Sequence, residues 1–226
     1  MDTSDALSSA AAGMRLQADR LDVIALNLAN ASTTGYRERV WSAGSFGDRL
    51  GSAVTADSRQ GAIRRTGVRT DLALVGAGYF AVATPDGVRY TRDGRTTVSD
   101  GHLTDARGNP LLGSLGPARF PHGSHVEPDG RIIADGRVVD RLRVVSIPGD
   151  GLAPDGPYAY APAASVPTRS KATVHAGYLE ESTVDPIAEM TSLVAAQRAY
   201  EANQKAAQRA DETLRRAVTD VPAVRS

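Results

Sequence analysis

The N-terminal part of the chain has the hydrophobic pattern of one long amphipathic helix. Large apolar residues recur at intervals of seven, at Leu7, Met14, Leu21 and Leu28. A row of small residues stands four positions further on, at Ala11, Ala18 and Ala25. This repeat predicts a helix whose seam packs against another helix, with the alanines allowing a close approach. The polar run from Asn30 to Gly35 predicts the helix end, and we assign residues 1–36 to this N-terminal helical segment.

The C-terminal part has a second pattern of this kind. Leu193, Tyr200, Ala207 and Leu214 again step by seven, and Ile187, Met190 and Val194 widen the apolar stripe. Asp185 can cap the free backbone N–H groups, and Pro186 suits the first helical position. The pattern predicts a helix over residues 185–219, followed by a tail at residues 220–226.

The middle of the chain has the pattern of an antiparallel β domain. The dipeptide Asp-Gly, which favours tight hairpin turns, occurs seven times between residues 86 and 156. The apolar runs between these turns predict strands at Tyr79–Ala83, Val88–Thr91, Thr96–Val98, Arg131–Ala134 and Val138–Ile147. We assign residues 71–151 to this central β domain, and residues 37–70 and 152–184 to extended connectors. The predicted fold class is α+β: long N- and C-terminal helices that pair as a coiled coil, with a central all-β, hairpin-rich domain.

The composition excludes several classes of protein. Lys plus Arg and Asp plus Glu number 26 each in 226 residues, so no net charge attracts nucleic acid or anionic lipid. The absence of cysteine excludes disulfides and thiolate chemistry. No apolar run reaches the roughly 18 residues that a transmembrane helix needs, so we expect no direct membrane insertion. The acidic start, from Met1 to Asp5, is unlike a secretory signal peptide, and we expect no cleavable one.

Candidate catalytic motifs are incomplete. The segment Gly76–Ala81 matches the loose dinucleotide pattern GxGxxA, but the following residues predict a strand and a turn, whereas pyrophosphate binding requires a helix N-terminus. His122 and His125 are close in sequence, but no third ligand accompanies them. There is no GxSxG nucleophile elbow. The sequence therefore predicts no catalytic, cofactor-binding or metal-binding residues.

The two terminal helices are the features that point to a function. Each has an apolar seam that is unfavourable in water, and the two ends of the chain can shelter these seams by pairing. A pair of helices of this length leaves apolar surface uncovered, which predicts that neighbouring copies complete the packing in an open helical assembly. Periodicity alone is equally compatible with a two-helix element packed on the β domain of a monomer.

Blocks of sequence in three parts of the chain resemble the bacterial flagellar rod and hook family. The block Leu26–Tyr36 is similar to the family's N-terminal signature, an Asn-x-x-Asn followed by Thr-x-Gly-aromatic. The blocks Val184–Met190 and Ala196–Asn203 resemble its C-terminal signature, and Gly76–Phe80 and Tyr90–Gly94 resemble its shared β domain. The blocks follow the family's order over nearly the whole chain.

The resemblance implies a structural subunit of the flagellar basal-body rod and no enzymatic activity. In that family the terminal helices form the inner coiled-coil wall of a hollow helical tube, which transmits torque from the motor to the hook. The implied partners are copies of the chain itself, other rod and hook subunits, and the flagellar type III export apparatus, with no nucleic acid and no cofactor. The implied location is the periplasm-spanning rod of the basal body. The chain is short for a hook protein, and both the proximal and the distal rod positions stay open.

The expected assembly interface consists of apolar helix anchors and of polar positions in the two signature blocks. The anchors are Leu7, Met14, Leu21, Leu28, Leu193, Tyr200 and Leu214, and the polar positions are Asn27, Asn30, Gln197, Arg198, Glu201 and Asn203. We expect the polar side chains to form hydrogen bonds between neighbouring subunits, although solvation or helix capping would be the simpler role.

Two other classes of function stay open for comparison. A monomeric cell-envelope scaffold or rod-assembly factor would resist proteolysis up to both ends, whereas an assembly subunit would lose its ends and leave a core near residues 37–184. An enzyme that acts on the cell wall would turn over peptidoglycan, but the pattern of histidines and carboxylates gives this class little support.

Overall fold

Two long helices stand at the ends of the chain, with all the strands between them. The computed structural model describes residues 3–46, 49–57, 59–147, 153–155, 158–160 and 167–219. The helices are α1 (Thr3–Ala29) and α2 (Pro186–Thr219). The strands in the described ranges are β1 (Arg39–Phe46), β2 (Arg49–Ala56), β3 (Ile63–Arg65), β4 (Leu72–Val75), β5 (Tyr79–Thr84), β6 (Gly87–Thr91), β7 (Thr97–Ser99), β8 (His102–Thr104), β9 (His125–Val126), β10 (Arg131–Ala134), β11 (Arg137–Arg141), β12 (Val144–Ser146), β13 (Ala153–Asp155), β14 (Tyr158–Tyr160), β15 (Thr168–Arg169), β16 (Thr173–Ala176) and β17 (Tyr178–Glu180). The prediction of an α+β chain with two terminal helices and a central antiparallel β region is confirmed.

The start of α2 follows the predicted capping chemistry. Oδ1 of Asp185 accepts hydrogen bonds from the backbone N–H groups of Ile187 at 2.9 Å and Ala188 at 3.2 Å. Pro186 occupies the first helical position, where an N–H would have no partner within the helix. Neither helix is long and apolar enough, over its described residues, to cross a membrane. The predicted tail at residues 220–226 lies outside the described residues.

The chain divides into two units, and unit 1 contains α1, β1, β2 and α2. The two helices pack against each other. They run antiparallel, because Gly13 of α1 lies beside Asn203 of α2, whereas Asn27 near the other end of α1 is bonded to Glu189 near the start of α2. The helix pair of unit 1 therefore brings the N-terminal and C-terminal parts of the chain together.

The buried side of α1 differs by one residue from the predicted seam. Ala10 and Ile24 are buried, with 8% and 4% exposure, and Asn27 is fully buried. Ala11 and Ala25, from the predicted row of small residues, are exposed. The hydrogen bonds of Asn27 hold this face of α1 inward, and Ala11 and Ala25 lie on the exposed side of the helix.

Strands β1 and β2 form an antiparallel hairpin within the predicted connector 37–70, and they pair along their full eight-residue length. The guanidinium carbon of Arg20 in α1 lies 5.8 Å from the centroid of the Trp41 ring in β1, which is a cation–π distance. The sequence analysis predicted an extended segment and missed the hairpin, because no Asp-Gly turn lies in this range. The hairpin belongs to unit 1 with the helices.

Unit 2 contains residues 30–38 and the described part of residues 57–183, and it consists of short antiparallel strands. A six-stranded sheet has the order β13-β14-β6-β5-β12-β15, and a three-stranded sheet has the order β11-β10-β9. Unit 2 also contains three two-stranded sheets, β16–β4, β17–β3 and β7–β8. The main core is mostly aliphatic, and its members with at most 1% exposure include Leu72, Leu74, Phe80, Val82, Leu103, Leu111 and Ile132.

Two of the Asp-Gly dipeptides form the tight turns that the sequence predicted. Asp100-Gly101 joins β7 to β8, with φ angles of 50° and 73°, and Asp135-Gly136 joins β10 to β11, with φ angles of 51° and 73°. Positive φ at both central residues is the signature of a type I′ turn. The prediction of a single strand at Val138–Ile147 is wrong, because the chain leaves the three-stranded sheet after β11 and enters the six-stranded sheet at β12.

Candidate assembly interface

The carboxamide of Asn27 ties α1 to both α2 and β1 within unit 1. Its Nδ2 donates to the backbone oxygen of Arg39 at 2.9 Å, and its Oδ1 accepts from the backbone N–H of Arg39 at 2.9 Å. Nδ2 also donates to Oε1 of Glu189 at 2.7 Å. Asn27 is 0% exposed and Glu189 is 8% exposed. These hydrogen bonds are all made inside the chain, and they fix how α1, α2 and β1 meet.

The inward position of Glu189 also determines which side of α2 is open. Glu189 and Ala196 lie on the same side of the helix, and both are buried. Successive residues in a helix are rotated by about 100°, so the opposite side carries Ile187, Met190 and Val194. These three side chains are 78%, 58% and 47% exposed.

The exposed apolar side chains continue into a polar stripe. Gln197 and Glu201 follow Val194 at helical spacing, and Arg198 lies beside them. All three are exposed. We call the six residues Ile187, Met190, Val194, Gln197, Arg198 and Glu201 the α2 outer surface. It is apolar near the start of the helix and charged further along.

The exposed side of α1 is shallow. It carries Ala11, Arg15, Asp22, Ala25 and Ala29, which are spaced by three, four or seven residues and are all exposed. We call these five residues the α1 outer surface. Small side chains let another helix approach closely, and the two charges have opposite signs. This surface is suited to receive larger apolar side chains.

The structure places the predicted interface residues in different environments. Gln197, Arg198, Tyr200 and Glu201 are exposed, whereas Met14, Leu21, Leu28, Asn30, Leu193 and Asn203 are half-buried. Leu7 and Leu214 lie in α1 and α2, but their side chains are outside the described part of the structure. The assembly role of these residues stays a prediction.

Sequence reasoning missed a buried ionic cluster in unit 2. The carboxylate of Glu180, with a side chain 1% exposed, forms ion pairs with Arg37 at 3.2 Å and Arg92 at 3.0 Å. Arg92 lies in the block Tyr90–Gly94, but no sequence pattern links this block to Glu180. Burial lowers the pKa of Arg92, and the Glu180 carboxylate acts against that shift.

In the segment Gly76–Ala81, residues 76–78 form a bend between β4 and β5, and Tyr79–Ala81 begin β5, so the strand predicted after the glycines is confirmed. Gly76 has a φ of 101°, which favours glycine. The carbonyl oxygens of Gly76 and Gly78 accept hydrogen bonds from Nη1 of Arg92 at 2.9 Å and 2.8 Å. The glycines therefore serve the folding of unit 2.

A cavity of about 430 Å³ in unit 2 has the hydroxyl groups of Ser114, Thr168 and Ser170 among its lining. Its one carboxylate, Asp129, has a lowered pKa because of a hydrogen bond from the backbone of Arg131 and the side chains of Arg131 and Arg141. The hydroxyl of Ser170 donates to the backbone oxygen of Ala77 at 2.6 Å. Across the described ranges, no group of His, Asp and Glu residues could hold a metal ion.

These observations define a class of protein: an α+β chain whose two terminal helices pack together and carry exposed apolar and charged side chains on their outer sides. Three family models match it. "Flagella basal body rod protein" matches residues 7–37, "Flagellar hook protein FlgE/F/G D1 domain" matches residues 73–151, and "Flagellar basal body rod FlgEFG protein C-terminal" matches residues 175–220. The chain belongs to the flagellar basal-body rod and hook family.

Individual relatives agree with the family models. The flagellar basal-body rod protein FlgF of Caulobacter vibrioides is 34% identical, over 88% of this chain and 90% of the relative. The flagellar basal-body rod protein FlgG of Agrobacterium fabrum is 31% identical, over 92% of this chain and 95% of the relative. The flagellar hook protein FlgE of Brucella abortus is also 31% identical, but the match covers only 43% of that protein. The similarity therefore extends nearly end to end for the rod proteins alone among these three.

Proposed function

We propose that the chain is a structural subunit of the bacterial flagellar basal-body rod and that it has no enzymatic activity. Its terminal helices pair as a coiled coil and form the wall of a hollow helical tube, which transmits torque from the motor to the hook. Its partners are further copies of itself, other rod and hook subunits, and the flagellar type III export apparatus. The family and the two rod relatives support this proposal.

The exposed part of α2 is the observation that carries the assembly proposal. Ile187, Met190 and Val194 lie on one face in contact with water, and their exposed fractions are 78%, 58% and 47%. The opposite side of α2 is already packed against α1, so this face is available to another molecule. An exposed apolar face on a helix is typical of an interaction surface.

A second copy of the chain is the occupant that the charges favour. The α1 outer surface offers small alanines to the apolar side chains of α2. It also carries Arg15 and Asp22, whose charges are opposite to those of Glu201 and Arg198 on the α2 outer surface. A contact between α2 of one copy and α1 of the next is heterologous, and repeating it gives a helical assembly.

The apolar part of this contact is strong enough to matter. Fully burying one large apolar side chain stabilises by about 1.5–3 kcal/mol. Scaling by the exposed fractions gives roughly 1–2 kcal/mol for each of the three residues, and about 3–5 kcal/mol for the face before association costs. An aspartate placed in this face would reverse the sign, because an unpaired buried charge costs several kcal/mol.

The substitution Val194→Asp tests the proposal in the full chain. We expect the variant to fold, because Val194 is 47% exposed, and to fail both in sedimenting as a polymer and in restoring motility to cells that lack the native chain. The matched control is Val138→Asp, the same change at a valine of β11 that is 55% exposed. Normal polymers and motility with Val194→Asp would contradict the proposal.

A monomeric scaffold or assembly factor is the second candidate, and the packing of α1 against α2 within one chain favours it. Such a protein would sediment as a monomer at every concentration and would resist proteolysis up to both ends. The rod subunit should instead sediment faster as its concentration rises, and proteases should attack its helices before unit 2.

A further inference from the structure

The chain passes between the two units at four places, and beside three of them lie short segments of unit 2 that are bonded to one another. They are an N-terminal segment (residues 35–38), a return segment (residues 57 and 59–61) and a C-terminal segment (residues 180–183). Each lies beside a division between the units, at 38/39, 56/57 or 183/184. We call these three segments, all within unit 2, the collar.

Hydrogen bonds connect the N-terminal segment to each of the other two collar segments. The N–H of Gly35 donates to the oxygen of Glu180 at 2.8 Å, and the N–H of Thr183 donates to the oxygen of Tyr36 at 3.1 Å. The N–H of Asp57 donates to the oxygen of Glu38 at 2.7 Å. The N–H of Glu38 in turn donates to the hydroxyl of Thr183 at 2.8 Å. Each segment is thus bonded to at least one of the others.

The side chain of Glu180 lies at the centre of these contacts. Its Oε1 accepts from the N–H of Gly61 at 3.0 Å and pairs with Arg37 at 3.2 Å, and its Oε2 pairs with Arg92 at 3.0 Å. One carboxylate therefore holds all three collar segments and the end of β6. Its negative charge is also paired with the guanidinium groups of Arg37 and Arg92, whose side chains are only 12% and 2% exposed.

The close approach of these segments requires glycine at two positions. A Cβ at Gly35 would lie 2.3 Å from the carbonyl carbon of Arg92, and the φ of Gly35 is +65°. A Cβ at Gly61 would lie 2.1 Å from the backbone oxygen of Glu181. Both distances are far below van der Waals contact. A larger residue at Gly35 would push the N-terminal segment away from Arg92, and one at Gly61 would push the return segment away from the C-terminal segment.

We propose that Glu180 couples the three collar segments into one cooperative element, so that the hydrogen bonds between them break and form together. Three of the four connections between unit 2 and the rest of the chain are then held together by contacts within unit 2. A pull on one of these three connections is shared with the other two through the hydrogen bonds. The relevance to torque rests on the proposed function, whereas the cooperativity is a property of the single chain.

Hydrogen exchange of the full chain with Glu180→Gln tests this proposal. The N–H groups of Gly35, Asp57, Gly61 and Thr183 should lose protection together, by roughly 100-fold, which is the factor expected for a broken buried ion pair. The core N–H groups of Leu103, Leu111 and Ala118, which are bonded within unit 2, should lose much less. Glu181→Gln is the matched control, because Glu181 is half-exposed and pairs with Arg64 at the surface.

Arg37→Met provides a second variant that leaves the pair of Arg92 and Glu180 intact. It should lower protection at the same four N–H groups by a smaller common factor, and it decides the question if Glu180→Gln does not fold. Loss of protection at Gly61 alone would overturn the proposal, because the contact would then be local. Equal loss in the collar and the core would also overturn it, because the collar would not be a separate element. Neither result depends on whether the chain forms rods.

Discussion

Replacing Asn27 by alanine should loosen unit 1 more than any comparable change at an exposed polar residue. The substitution removes two hydrogen bonds to the backbone of Arg39 and one to the carboxylate of Glu189. Leaving a buried polar group without its partner costs about 1–3 kcal/mol, and more for a charged group. Taking the low end for each of the three groups gives a loss of about 3 kcal/mol in the free energy of unfolding of unit 1.

The single tryptophan of the chain provides the assay. Trp41 lies in β1, two residues after Arg39, and beneath the guanidinium of Arg20. Its fluorescence should therefore follow the unfolding of unit 1 in urea, and the shift of the midpoint at constant slope gives the change in stability. Gln204→Ala is the control, because Gln204 is an exposed polar residue of α2 in the same unit.

A double substitution separates the contact with Glu189 from a general effect of the smaller side chain. Adding Glu189→Gln to Asn27→Ala removes the buried charge, so the two changes together should cost at least about 1 kcal/mol less than the sum of the single changes. The reasoning is refuted if Asn27→Ala costs no more than Gln204→Ala, or if the effects of Asn27→Ala and Glu189→Gln simply add.

Two further predictions concern the helix pair and the β unit. Gly13→Ala should stabilise unit 1 by about 1 kcal/mol when Asn203 is also alanine, as expected for glycine in a helix. With the native Asn203, Gly13→Ala should not stabilise unit 1, because Nδ2 of Asn203 would lie 2.9 Å from the new Cβ. Melting curves followed by Trp41 fluorescence measure both effects. Equal stabilisation with Asn203 and with Ala at position 203 would contradict the close contact. In unit 2, burial raises the pKa of Asp140, but backbone hydrogen bonds from Ser114, Arg119 and Arg141 outweigh it and lower the pKa below 3.8. The stabilisation by Asp140 is therefore present above the ordinary pKa of an aspartate and is lost as the pH falls through the lowered pKa. Asp140→Asn should therefore reduce the loss of stability at acid pH, measured by circular dichroism. An unchanged loss of stability at acid pH would contradict this prediction.

The local signals in the sequence predicted the elements well. Asp185 and Pro186 fixed the start of α2, and Asp-Gly dipeptides marked the hairpins of β7–β8 and β10–β11. These features depend on residues that are neighbours in the chain. Their conformational preferences act before any tertiary contact forms, and a single sequence is enough to identify them.

The rotation of the helices could not be predicted from the heptad pattern. Rows of apolar and small residues on both sides of α1 left two choices, and the buried carboxamide of Asn27 decides between them. The partner of Asn27 is Glu189, which is far away in the sequence. The helical pattern does not show that Glu189 is buried, so the exposure of Ile187, Met190 and Val194 could not be predicted from it.

The ionic cluster of unit 2 could not be predicted from the sequence for the same reason. Arg37, Arg92 and Glu180 come from three distant parts of the chain, and charged residues are expected at the surface. Only the pairing of β17 with β3 brings Glu180 beside the return segment. A sequence pattern shows residue types and spacing, and it does not show which charges are buried together.

The central claim, that the α2 outer surface is covered by other copies, is tested most directly by labelling a cysteine at Val194. The native chain has no cysteine, so Val194→Cys gives a single thiol, and Val138→Cys gives the control in unit 2. The account predicts that a maleimide reagent modifies both thiols in the dilute monomer and only the thiol at 138 in isolated basal bodies. Equal modification of the thiol at 194 in the monomer and in basal bodies would contradict it.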